Sequence, residues 1–138
     1  MSSPHFLTVS AVCVYDQEGR LLTVRKRGTE KFMHPGGKPE PGETAAQAAS
    51  RELEEEVGIT IPADDLQHLG TWDAAAANEA DTVIKASVFT APGVWEATPA
   101  AEIEAIRWLD LDREWPGDLA PLLTEHVLPA LLEARGER

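Results

Sequence analysis

From His5 to Tyr15 the apolar residues Phe6, Leu7, Val9, Ala11, Val12 and Val14 crowd a run rich in β-branched side chains, which predicts a first strand. Asp16-Gln17-Glu18-Gly19 reads as a turn, and Arg20 to Arg27 as the returning strand. Its Leu22 and Val24 face one side, Thr23 and Arg25 the other. Gly28-Thr29-Glu30 breaks the run before a short Phe32-Met33 extension. The Gly/Pro-rich stretch Gly36 to Glu43 then feeds a helix, and Ala46, Ala49, Leu53 and Val57 form one apolar stripe at helical spacing. Thr44 is its N-cap, Gln47 completes a capping box, and Gly58 fits the left-handed position just past the end.

Farther on, Gln67 to Ala77 and Thr82 to Ala91 read as two strands joined by the polar Asn78-Glu79-Ala80-Asp81. Ala105 to Leu109 is a short strand. Asp118 is expected to cap a last helix through Leu128, with Pro129 kinking or interrupting it before Ala130 to Arg135. Strands on both sides of a capped helix, with another helix to follow, give an α/β layered fold. There is no internal repeat, low-complexity tract or linker, so residues 1–138 are expected to form one domain.

Composition narrows the function. At 43% hydrophobic and 26% charged residues, the chain matches globular proteins rather than disordered ones. No apolar run approaches the roughly 20 residues that span a bilayer. No signal peptide is recognised, and a cytoplasmic location is expected. Cys13 is the sole cysteine, so no intrachain disulfide forms, and its apolar run marks it as a core residue. Twelve basic against twenty-four acidic side chains leave a net charge of −12, which repels a nucleic-acid polymer or an anionic membrane. It repels a polyphosphate too, unless cations intervene. Oligomeric state is left open, a homodimer included.

One face of the first helix breaks two local rules at once. Glu52, Glu55 and Glu56 stand at i, i+3 and i+4, spacings at which like charges cost roughly 0.2–0.5 kcal/mol per pair. They also occupy the C-terminal half, where the macrodipole disfavours anions. A solvated acidic face is the ordinary explanation. A bound divalent cation would remove both penalties, and clustered oxygen ligands suit Mg²⁺ or Mn²⁺.

The spacing of these residues resembles a known signature. Gly37, five residues, Glu43, seven residues, Arg51-Glu52-Leu53, one residue, Glu55-Glu56, one residue, Gly58-Ile59 fills every fixed position of the 23-residue Nudix box. The resemblance implies a Nudix-type α/β/α sandwich with a mixed curved sheet. It also implies metal-dependent hydrolysis, by water attack at phosphorus, of a nucleoside diphosphate linked to another group. Glu52, Glu55 and Glu56 match the family's metal-binding and base carboxylates, with Glu52 or Glu55 favoured as base. The Gly36 carbonyl matches a further metal ligand. Gly37, Glu43 and Arg51 match the structural support of the site, the last two as an ion pair bracing loop against helix.

Other positions are candidates. A further acidic residue is expected from Glu79, Glu102 or Glu104. Among Arg25, Lys26 and Arg27, a phosphate contact is expected, with Arg25 and Arg27 put first. His34 stands where the family usually has an apolar residue, and is either a site histidine or, the commoner case, a bystander. Ala74 to Ala77 carry neither the proline of ADP-ribose-acting members nor the tyrosine of members acting on diadenosine polyphosphates. A nucleoside triphosphate, possibly oxidised, is the default substrate, with ADP-ribose-type compounds as alternatives. Trp72, Trp95, Trp108 and Trp115 are candidates to stack on a base, though each fits packing as well. The competing class is a nucleotide-sensing binding module, which would be expected to have lost box carboxylates that this chain keeps.

Overall fold

The computed structural model describes residues 5–77 and 79–136. Its centre is β1 (His5–Tyr15), flanked by β5 (Thr82–Val94) and β2 (Leu21–Lys26), with β4 (Gln67–Ala75) and β6 (Ile103–Leu109) at the edges of a curved sheet ordered β4-β5-β1-β2-β6. β1 runs parallel to β5 and antiparallel to β2, while β4–β5 and β2–β6 are antiparallel. A central strand has both faces covered, which is why Ala11 to Val14 form an unbroken apolar run rather than an alternation.

Alternation along the strands sorts the interior into two layers. Val12, Val14, Leu22, Val24 and Phe89 pack under α1 (Ala45–Val57) with Ala49, Leu53 and Val57. Ala11, Cys13, Leu21, Ala86 and Val88 pack on the opposite face with Leu122, Leu123, Val127 and Leu131. Burial pushes the Cys13 thiol up to about 12, which keeps it protonated and inert.

The α1 caps follow the sequence. Thr44 Oγ1 accepts the Gln47 N–H at 3.1 Å, the Thr44 N–H donates to Gln47 Oε1 at 2.9 Å, and Gly58 closes the helix in the left-handed region at φ 73°.

Three expectations shift. Gly36–Gly37 forms a short strand, β3, antiparallel to β1, with the Val12 N–H donating to the Pro35 carbonyl at 3.0 Å. A Cβ on Gly36 would run into the Ser10 carbonyl and the Ala11 Cα, so only glycine permits this pairing. Asp118 caps no helix. Its carbonyl accepts the Phe32 N–H at 2.8 Å and its carboxylate takes the Arg107 fork, so the chain stays extended and turns helical only at Pro121. Nor does Pro129 interrupt the last helix. Leu123–Val127 widens into a π turn, with the Leu128 N–H donating to the Leu123 carbonyl, and α2 (Leu128–Gly136) continues through the proline. Proline lacks an N–H and crowds the carbonyl four residues back, and the wider turn absorbs both effects. Asn78, expected to open the β4–β5 connection, lies outside the described residues.

Candidate active site

The β3 strand and α1 meet face to face. A Cβ on Gly37 would stand 2.5 Å from Glu52 Oε2, so the glycine opens a cradle that the carboxylate fills. One turn on, Glu56 is only 2% exposed. Its Oε1 accepts the Gly36 N–H at 3.2 Å, while its buried Oε2 has no hydrogen-bond partner among the described residues. Lys26 Nζ stands 3.7 Å from that same oxygen. Burial, opposed by Lys26 and reinforced by the neighbouring Glu52, pushes the Glu56 carboxyl up to about 8.

Arg51 ties the loop to the helix. Its Nε and Nη2 form a fork on Glu43 at 2.8 and 2.9 Å, and Nη2 also reaches the Lys38 carbonyl at 3.1 Å. The hydrogen bonds from Arg51 and from the Glu40 N–H hold the Glu43 carboxyl down at about 2, and Glu43 in turn raises the Arg51 guanidinium. Arg51 Nη1 lies between two further carboxylates, 2.6 Å from Glu52 Oε1 and 3.3 Å from Glu55 Oε2. The three helix carboxylates therefore turn toward protein cations, and among the described residues no three acidic, imidazole or thiolate groups converge on one point.

Above this cradle opens a cavity of about 510 Å³. Gly36, Gly37, Arg51 and Glu52 line its polar end, with Lys26, Glu79 and Glu102. Lys26 also approaches Glu102 at 4.0 Å. Arg25 and Arg27 do not line it. Arg25 donates to the Thr29 carbonyl at 2.9 Å and pairs with Glu104 at 3.2 Å, and Arg27 is exposed. Lys26 falls on the same face as Val24, over α1, where the polar end lies, whereas Arg25 falls on the other face and is held there by the Thr29 carbonyl and Glu104. Glu104 is drawn off by the same Arg25 pair. That alternation was visible in the sequence, but which face would carry the cavity was not.

The four tryptophans lie elsewhere. Trp72 stacks on His126, Trp95 and Trp115 donate to the Pro92 and Leu111 carbonyls, and Trp108 packs against the α1 layer. His34 does line the cavity. It is 4% exposed, its Nε2 has no hydrogen-bond partner among the described residues, and burial drops its pKa to about 4, so the ring is neutral at neutral pH.

The fold and this site together define a class: an α/β/α sandwich with a glycine loop and a carboxylate-bearing helix at the polar end of a cavity. The comparisons agree. The NUDIX domain profile matches residues 4–130, and the chain belongs to the NUDIX domain family. It is 38% identical over 101 residues to the oxidized purine nucleoside triphosphate hydrolase of Danio rerio, covering 70% of this chain and 62% of that one. The MutT NUDIX hydrolase from Burkholderia pseudomallei superimposes with a TM-score of 0.70 at 26% identity, over 94% of this chain and 97% of that chain. The MutT protein from Methanosarcina mazei Go1 gives 0.73 at 20% identity, over 99% and 97%, a likeness of fold alone. This chain spans less than two thirds of the length of the curated relatives it matches, 62% for the Danio rerio protein and 48% for phosphatase NudJ of Escherichia coli.

Proposed function

We propose that this protein is a divalent-metal-dependent pyrophosphohydrolase, cleaving a nucleoside diphosphate linked to another group, with a nucleoside triphosphate as the first substrate to try. The observation that carries the reading is the meeting of Glu52, Glu56 and the Gly36-Gly37 backbone at the polar end of a cavity of about 510 Å³. A cavity of that order suits a small organic ligand. The likeness to an oxidized purine nucleoside triphosphate hydrolase supports the choice of substrate.

The donor chemistry fits Mg²⁺ or Mn²⁺: a buried carboxylate oxygen without a hydrogen-bond partner among the described residues, two more carboxylates within one turn, and a glycine whose missing side chain makes room; closing on one ion requires Glu52 and Glu55 to turn from Arg51. Glu52, Glu55, Glu56 and the Gly36 carbonyl would hold the ion. Bound there, such an ion would supply positive charge to the diphosphate and lower the pKa of water. Glu52 or Glu55 then accepts the proton of the attacking water. Arg51, locked on Glu43, keeps the loop and helix in register. Lys26, which lines the cavity, would offer its ammonium to a phosphate oxygen, and Glu79 or Glu102, also in its lining, would add a carboxylate. No protein nucleophile takes part, since Cys13 is buried and protonated.

A panel of nucleoside di- and triphosphates and diphosphate conjugates, run with Mg²⁺ or Mn²⁺ and scored for phosphate, pyrophosphate and nucleoside monophosphate, tests this. Hydrolysis in ¹⁸O-labelled water should place the label in a phosphate product. Label confined to a sugar or base, or no turnover across the panel, defeats the proposal.

A further inference from the structure

The cavity has a second end that the phosphate chemistry does not use. Its walls there are Leu7, Val9 and Ala11 of β1, Ile84 of β5, and Ala120 and Leu122 before α2. These side chains are aliphatic, and none can exchange a hydrogen bond with a ligand. His34 is the exception. Phe32 packs into the α2-side layer and Met33 into the α1-side layer, so alternation carries His34 to the α2 side, where this aliphatic wall lies.

An unpaired buried nitrogen is disfavoured, since a polar group taken from water without a partner loses its hydration and gains nothing in return. A leucine in that place would avoid the penalty and match its surroundings. Among the described residues nothing satisfies Nε2. The ring is also held firmly. His34 directly precedes Pro35, whose carbonyl is bonded to β1, and the Gly36-Gly37 strand that cradles Glu52. One short piece of backbone thus fixes both the carboxylate end and this imidazole.

We infer that His34 is a specificity-determining residue, its Nε2 hydrogen-bonding one edge of a flat nucleobase that the aliphatic walls enclose. The inference rests on the proposed nucleotide reading of the cavity, and it adds which residue chooses the base. Aliphatic walls accept any flat ring by contact alone, so at this end discrimination falls to His34; Ser10 Oγ, which is also buried and unpaired among the described residues and lines the cavity, lies on the opposite face of β1 with Val12. A site built around one hydrogen bond rejects a base that cannot return it, because the buried partner is then left unsatisfied.

The test is binding, which is independent of turnover. Calorimetry on the full chain would compare the common nucleoside monophosphates and their oxidised purine forms for wild type, His34→Leu and His34→Gln, with thermal melts of each. Wild type should prefer one base. His34→Leu should lose about 10- to 100-fold in affinity for that base, so that the preference collapses, while its melting temperature holds or rises. His34→Gln should keep part of the preference. A merely structural histidine predicts the reverse: His34→Leu would be more stable and bind the preferred base as tightly as wild type, which overturns the inference. Binding with no base preference in wild type overturns it too. If base preference depends on His34 but no diphosphate is hydrolysed, the hydrolase reading fails and this one stands.

Discussion

Glu52 and Glu56 stand four residues apart on one helix yet occupy different environments. Glu52 is reached by Arg51 and backed by Gly37, whereas Glu56 is enclosed, with the Gly36 N–H, the Lys26 ammonium and the Glu52 carboxylate near it. As proposed ligands or bases, Glu52 and Glu55 can each be tested by substitution with Gln, which removes charge and little volume. Each change should lower kcat by about 10²–10⁴ in steady-state assays on the panel's substrate, with the fold intact by circular dichroism. Glu56 is the better probe of pH. Its folded-state pKa, about 8, lies above the ordinary 4.5, so the native state binds the proton more tightly than the unfolded chain does. The stabilisation is complete below about pH 4.5 and lost as pH rises through about 8. In chelator, the melting temperature of wild type relative to Glu56→Gln should therefore fall as pH rises across that window. A pH-independent difference would show that the carboxyl titrates normally. Glu43 has the opposite sign, because its depressed pKa makes its contribution present above 4.5 and lost as pH falls toward 2.

Helix α1 carries the candidate chemistry, and its stability at each end has separable causes. The N-terminal end depends on the reciprocal Thr44–Gln47 box. Thr44→Ala removes the acceptor for the Gln47 N–H and should cost about 1 kcal/mol, while Thr44→Gly should cost only a few tenths. Thermal melts should show the alanine variant lower by a few degrees and the glycine variant close to wild type. The C-terminal end is held differently. The loop after β5 donates from Thr98 and Ala100 to the Val57 and Glu56 carbonyls at 3.1 and 2.9 Å, satisfying groups a helix end would otherwise leave to water. The same loop closes over the buried end of Glu56's turn. In α2, the cost of Pro129 is taken up by the π turn before it.

Across the whole molecule, twenty-four acidic against twelve basic residues set a field that opposes an anionic ligand. A site for diphosphates must overcome it locally, and Lys26, Arg51 and a divalent ion on the α1 carboxylates are the means proposed here. Preferential binding to the folded chain makes the ion a stabiliser by mass action, worth about 2.7 kcal/mol at a hundred times its dissociation constant. Millimolar Mg²⁺ or Mn²⁺ should therefore raise the melting temperature of wild type, and Glu56→Gln should blunt the rise. Flat melts across that range would count against any metal site on this helix.

What the sequence determined by itself is what short-range chemistry specifies. The capping box, the left-handed Gly58, the apolar run of β1 and the spacing of the Nudix box each act within a few residues, and each is found in the structure as the pattern implied. Tertiary structure decided the rest. Glu56 is buried and Glu55 exposed because α1 lies on β1 and β3 at one particular rotation, which no i, i+4 rule contains. Lys26 rather than Arg25 or Arg27 reaches the cavity, and Glu79 and Glu102 rather than Glu104, because strand register assigns faces and a neighbouring strand supplies Glu104 with Arg25. Asp118 has the side chain of a cap but spends its carbonyl on Phe32, eighty-six residues away in the chain, and long-range pairing overrode the local preference. His34 was only a departure from a pattern in one dimension. Its burial against an aliphatic wall, the fact that gives it meaning, required the sheet to bring β1, β5 and the segment before α2 to the same place.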